Sequence, residues 1–304
     1  MLIYSHPSCL LHDPGPGHPE APARLRAVLD ALDDPRFVLL ERVLAPRATR
    51  AQLERVHDAT LIDRVFASAP SAGYAQLDAD TVMSPDSLEA ALRAAGAVCA
   101  AVDALLEGGD TRAFCAVRPP GHHATRRTAM GFCLFNNVAV GAALALARGL
   151  ERVAIVDFDV HHGNGTQDIF CNEPHLLYAS THQWPLYPGT GARGETGAGN
   201  IVNAPLPAGA GSMQFRAAMQ ATVLPRLHEF RPQLLMISAG FDAHRLDPLA
   251  SLNLDADDYA WVTRELVAIA NAFAQGRVIS SLEGGYSLTA LRESTAAHVA
   301  ALME

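Results

Sequence analysis

The 304-residue chain is 49% hydrophobic and 18% charged, with a formal net charge of −9, a composition that belongs to globular proteins and excludes a disordered chain. All 23 basic residues are arginine, so chemistry that requires a lysine is excluded: Schiff bases, pyridoxal phosphate attachment and the P-loop. The arginines are dispersed, with no cluster larger than Arg126-Arg127, and the electrostatic footprint of a nucleic-acid binder is missing.

At the N-terminus, MLIYSHPSC lacks the basic region and apolar run of a signal peptide, and no stretch approaches the roughly 18 uninterrupted apolar residues of a membrane span. A soluble, cytoplasmic protein that binds neither membrane nor nucleic acid is expected. The Gly/Pro-rich segment His12–Pro22 reads as a surface loop. Ser84-Pro85-Asp86 then caps a predicted helix, Ser87–Leu106, that Gly108-Gly109 ends. A strand, Ala113–Val117, precedes a helix, Asn137–Ala147, stopped by Gly149. Strands Val153–Val156 and Leu176–Ala179 lead into a second irregular segment, Pro185–Ala210. The C-terminal third alternates helix Met213–Glu229, strand Leu234–Ser238, helix Asp257–Ala274, strand Val278–Leu282 and helix Leu288–Leu302. Short β-rich runs without polar alternation, separated by helices, indicate parallel strands covered on both faces. The fold class is therefore α/β, one domain over residues 1–304. Five cysteines (Cys9, Cys99, Cys115, Cys133, Cys171) show no CxxC spacing and read as reduced thiols.

Four of the strands run directly into polar clusters: AFCAV into RPPGHHA, VAIV into DFDVHHGNG, LLMISAG into FDAHRLDP, and VISSL into EGGY. Ligand sites of parallel α/β sheets lie outside the carboxyl ends of the strands, so the four clusters should face one cleft. Asp159 and His161, two apart in an extended segment, point to the same side. With Asp242 they supply two carboxylates and an imidazole, which is the ligand count of a catalytic zinc with an open position. A lone DxH pair is as often a cap or a satisfied core histidine; its recurrence with other clusters at strand ends favours a metal. His122-His123 follow a rigid turn where paired imidazoles have little structural use, so proton transfer is expected. A carboxylate partner keeps an imidazole cationic and an amide partner leaves its pKa nearer the working pH; Asp157 and Asn164 are available as those partners. Tyr286, after Gly284-Gly285, is placed to polarise a carbonyl and bind the oxyanion. His162 and the segment from Cys9 to Glu20 have no role that the sequence supplies.

Taken in order, RPPGHHA, GFCLFNN, DFDVHHGNGTQ, YPGTG, SAGFDAH and EGGY resemble the zinc-dependent histone deacetylase family, in its bacterial class II-like branch, from about His6 to Tyr286. The resemblance implies an arginase/deacetylase-like three-layer sandwich around a mostly parallel eight-stranded sheet. It implies Asp159, His161 and Asp242 as ligands of zinc, with iron(II) as an alternative. His123 becomes the general base, His122 the second, electrostatic histidine with Asp157 behind it, and Asn164 stands behind the base. Tyr286 matches the tyrosine that binds the amide oxygen. Gly131, Phe132 and Tyr187 match the narrow channel for the acylated amine, with Tyr187 in place of the usual phenylalanine. A potassium ion is implied at Asp157, Asp159, His161, Ser180 and Thr181. His18-Pro19-Glu20 matches an element near the channel rim that shapes a loop.

The activity so implied is removal of acetyl or short acyl groups from the ε-amine of lysine in proteins, peptides or small molecules. An acetylpolyamine amidohydrolase is the alternative within the class; its members carry an acidic gatekeeper after the Asp-Pro pair, where this chain has Leu249. A manganese ureohydrolase is disfavoured, because its SxDxDxxDP signature is one aspartate short in SAGFDAHRLDP. A non-catalytic module that recognises acylated ligands is a third reading, disfavoured because no expected site residue is missing. Physiological substrate, acyl preference and oligomeric state are not encoded in these motifs.

Overall fold

A computed structural model describes residues 1–304. In chain order the elements are β1 (Leu2–Ser5), α1 (Pro22–Leu32), β2 (Glu41–Leu44), α2 (Arg50–Leu53), α3 (Ala59–Ala67), β3 (Ala75–Gln76), β4 (Val82–Met83), α4 (Ser87–Glu107) and β5 (Arg112–Cys115). They continue through α5 (Asn137–Ala147), β6 (Val153–Asp157), α6 (Asn164–Phe170), β7 (Leu176–Gln183), β8 (Ile201–Leu206) and α7 (Ser212–Ala218). The last are α8 (Leu224–Phe230), β9 (Leu234–Ala239), α9 (Ala256–Phe273), β10 (Val278–Leu282) and α10 (Leu288–Leu302).

Eight strands form one sheet in the order β2-β1-β5-β10-β9-β6-β7-β8. Every pairing within it is parallel; β3 and β4 form a separate antiparallel pair. Strands β6, β9 and β10 are buried along their whole length, as expected of strands covered on both faces. Helices α4 and α5 pack on one another and against β5, β6, β9 and β10, while α1, α10, α9 and α8 form a second connected layer. One cluster of 86 buried hydrophobic residues runs through the sandwich. No helix is long and apolar enough to cross a membrane.

The four strands that end in polar clusters, β5, β10, β9 and β6, are consecutive neighbours at the centre of the sheet. Because all are parallel, their carboxyl ends emerge side by side, and one cleft receives every cluster.

Three sequence expectations need correction. Pro185–Ala210 is not wholly irregular, since β8 lies within it. Its Gly/Pro content hid a strand that tolerates Pro205 because it stands at the sheet edge, where the missing N–H breaks no ladder. The predicted helix Met213–Glu229 is interrupted by a π turn at Met219–Val223, just before Pro225, which has no N–H to offer the regular α pattern. Asp86 makes no side-chain cap on α4; instead Ser84 N–H donates to Ser87 Oγ at 2.7 Å.

Candidate active site

The turn after β5 carries His122 and His123, both buried. Each imidazole is committed through Nδ1: His122 to Asp157 Oδ2 at 2.9 Å, and His123 to Asn164 Oδ1 at 2.7 Å. The partner types are those the sequence made available, one carboxylate from the end of β6 and one amide from the start of α6. Burial opposes charge on His122, but Asp157 first and then Asp159 outweigh it and hold its pKa well above the usual value. His123 behaves oppositely. Burial, the charge of His122 and then His161 push it well below the usual histidine range. The expectation that an amide partner leaves it near neutrality is thus incomplete, because desolvation and neighbouring positive charge, His122 first, act on the same ring. The Nε2 edge of His123 is left free toward the cavity, whereas that of His122 lies 3.8 Å from Asp159 Oδ2.

Behind β6 the chain bends so that Asp159, His161 and Asp242, from the turn after β9, offer ligand atoms all within 4.8 Å of one another. His161 Nδ1 lies 3.2 Å from Asp159 Oδ1 and 3.2 Å from Asp242 Oδ2. Backbone donors aim the carboxylates: Asp242 Oδ1 accepts from Val160 N at 2.8 Å, and Asp159 Oδ2 accepts from Gly284 N at 2.8 Å. Gly284 has no room for a side chain, since a Cβ would lie 2.1 Å from Asp242 Oδ2. Burial, then Asp159, pushes Asp242 up to about 7; the hydrogen bonds to both aspartates overcome burial and raise His161 to about 10. Two carboxylates buried this close retain a proton unless a cation compensates them. The donor set, two oxygens and one nitrogen, therefore fits a divalent metal, with a position left open.

A cavity of about 190 Å³ opens onto this group, lined by His123, His161 and Tyr286 together with Gly131, Phe132, Tyr187 and Leu249, and also by Asp80 and Leu186. Gly131 makes the approach of the wall possible: its φ is +57°, and a Cβ would sit 2.4 Å from His123 Cδ2. Phe132 packs edge-on to His18 at 4.8 Å between ring centroids, and Tyr187 to His123 at 5.2 Å. Burial holds the Tyr286 phenol well above its usual pKa, with Arg24 opposing, so it stays protonated as a donor.

Of the positions expected for potassium, Ser180 lies opposite Asp157 in register, and its hydroxyl is shared with His182 Nδ1 at 2.9 Å. Thr181 is buried beside it on β7. His162 is held between Thr190 Oγ1 at 2.8 Å and Gln167 Oε1 at 3.0 Å, and burial followed by His182 lowers it to about 3. It is a neutral tie between the strand-end turn and the loop that carries Tyr187.

Several contributors carried no local signal. Asp247 accepts from Tyr286 N at 2.7 Å and, through its other oxygen, from Leu249 N at 3.0 Å, so one carboxylate fixes both. Arg24 places its guanidinium 4.8 Å from the centroid of the Tyr286 ring and donates to Gly285 O at 2.6 Å, 261 residues away. Glu20 does more than shape a loop: its carboxylate is fully buried and takes donors from both Arg24 and Arg118. Asp157 accepts a further hydrogen bond from Tyr178 at 3.1 Å. The HPE and RPP motifs named Glu20 and Arg118, but not their pairing.

The family described as the Histone deacetylase domain matches residues 18–302. The chain is 42% identical over 278 residues to the histone deacetylase-like amidohydrolase of Pseudomonas aeruginosa, covering 89% of this chain and 73% of that one. It is 40% identical over 291 residues to a probable deacetylase of Archaeoglobus fulgidus, covering 94% and 81%. Among solved structures, the HDA15 HD domain superposes with a TM-score of 0.94 at 37% identity, over 100% of this chain and 88% of that one.

Proposed function

We propose, since the chain belongs to the histone deacetylase family and is a hydrolase of amide bonds, that it removes acetyl or short acyl groups from the ε-amine of lysine in proteins, peptides or small molecules. The observation that carries this reading is the convergence of His123, His161 and Tyr286 on one narrow, largely apolar cavity. A primary-amine acyl group on a long methylene stem fits such a channel, with Phe132 and Tyr187 against the stem.

Asp159, His161 and Asp242 would hold the metal, zinc in our reading with iron(II) as the alternative. When bound, it supplies Lewis acidity toward the amide oxygen and lowers the pKa of a water. His123, neutral and with Nδ1 held by Asn164, takes a proton at Nε2 and passes it to the leaving amine. His122, held cationic by Asp157, contributes positive charge beside it. Tyr286 donates its phenolic proton in a hydrogen bond to the oxyanion that forms on the substrate carbonyl. Potassium at Asp157, Asp159, His161, Ser180 and Thr181 belongs to the same reading, supported by the oxygen-rich surroundings. The five cysteines are unpaired, in keeping with a cytoplasmic setting.

Leu249, 36% exposed at the cavity lip, offers a distant ammonium no partner, which favours acetyl-lysine over acetylpolyamines. Wild-type protein should show the higher kcat/KM on an acetyl-lysine peptide than on acetylated spermidine. Leu249→Glu should raise the polyamine value by roughly three- to tenfold, the effect of one charge-assisted contact in a partly exposed position. A wild-type preference for the polyamine would reverse the substrate assignment.

A further inference from the structure

The tandem-histidine turn has a support that lies outside the metal group and the channel. We propose that Glu283 is a positioning residue that sets the backbone of this turn, and hence where His122 and His123 stand; the inference rests on the deacylase reading above.

Glu283 follows β10 directly and is fully buried. Its Oε2 accepts from Gly121 N at 2.6 Å and from His122 N at 3.1 Å, bonds that span 162 and 161 residues. The local sequence explains why these two donors matter. The turn reads Arg118-Pro119-Pro120-Gly121-His122, and prolines have no N–H, so Gly121 and His122 supply the first free donors of the turn. Gly121 is also pressed against the start of α5, where a Cβ would come within 2.4 Å of Asn137 N. The turn is therefore walled on one side by α5; its two amides share a single carboxylate oxygen, while its carbonyls are held separately, Pro119 O by Asn137 Nδ2 at 3.0 Å and His122 O by Gly165 N at 3.0 Å. Glu283 is itself anchored, its N–H donating to Ala239 O at 3.0 Å and its carbonyl accepting from Arg24 Nη2 at 2.5 Å. One residue thus joins the ends of β5, β9 and β10.

A carboxylate is an unfavourable occupant of such a place. Its Oε1 is buried without a hydrogen-bond partner, and burial pushes its carboxyl up to about 7. Packing alone would be better served by an apolar side chain of similar volume. What a carboxylate provides is an acceptor able to hold two adjacent backbone donors at once. The return is geometric: displacement of a reacting group by about 1 Å can cost on the order of 100-fold in rate. Glu283 does not line the cavity, and its carboxylate is hydrogen-bonded to the turn and not to Asp159, His161 or Asp242, so its influence should fall on turnover and spare binding.

The test compares wild type, Glu283→Ala and Glu283→Gln on an acetyl-lysine peptide, each at measured metal content, with amide hydrogen exchange followed in the peptide covering Arg118–Thr125. Glu283→Ala should lower kcat by roughly 100-fold with KM within about threefold of wild type, and its Gly121 and His122 amides should exchange at least about tenfold faster. Glu283→Gln, which keeps the acceptor oxygen, should restore both kcat and slow exchange to within a few-fold. Should the alanine variant not fold, Glu283→Asp, one methylene short of the turn, should show the same loss in kcat at constant KM. Wild-type kcat in Glu283→Ala, or equal damage in Ala and Gln variants, would overturn the assignment. A wild-type protein inactive on every acylated amine would instead defeat the deacylase reading, while the exchange comparison would still decide whether Glu283 holds the turn.

Discussion

Replacing His123 by alanine should lower kcat on an acetyl-lysine peptide by about a thousandfold, within the range of removing a general base, while metal content and melting temperature stay close to wild type. The size follows from the way the ring is held. Its Nδ1 is occupied by Asn164 Oδ1, so only Nε2 is free toward the cavity that it lines with His161 and Tyr286. Burial, then the positive charge of His122, keeps it neutral and able to accept a proton. His122 cannot take over, because Asp157 and Asp159 already hold it in the cationic form. Steady-state rates on samples of measured metal content check this. A His123→Ala enzyme within tenfold of wild type would remove His123 from the base position.

Tyr286→Phe removes one oxygen and should cost roughly 100- to 1,000-fold in kcat, the loss seen when one oxyanion donor is deleted. The half-buried phenol is desolvated enough to remain protonated, and its backbone is clamped by Asp247 while Arg24 covers its ring. Phenylalanine therefore occupies the same place without rearrangement, and KM should move by less than about threefold. If KM rises while kcat holds, the phenol serves ground-state binding and has no special part in the transition state.

The centre of the fold was legible because it is written locally. Runs such as Val153–Val156 and Leu234–Ser238 have no polar alternation, which only doubly covered strands allow, and each ends in residues a core strand would not carry. The edges were not. β1 and β2 are four residues long, and β8 is masked by glycine and proline, so neither periodicity nor length announced them. The candidate metal group and the His–Asp and His–Asn pairs were readable from motif chemistry, and the cavity gathers the same channel residues. Asp247, Arg24 and Glu283 escaped because their partners lie up to 261 residues distant, and nothing in a local window encodes such a pairing. The same holds for the pKa of His123, which depends on two other histidines and on burial as much as on its own partner.

The central claim is that Asp159, His161 and Asp242 hold one divalent metal on which amide hydrolysis depends. It is tested most directly by purifying the protein, counting bound metal by elemental analysis, and following hydrolysis of an acetyl-lysine peptide before chelation, after it, and after stepwise addition of zinc or iron(II). The account predicts activity that disappears with the metal and returns in proportion to occupancy, reaching its maximum at one catalytic ion per chain. Undiminished turnover by the metal-free protein, or activity that requires two ions per chain, would contradict it.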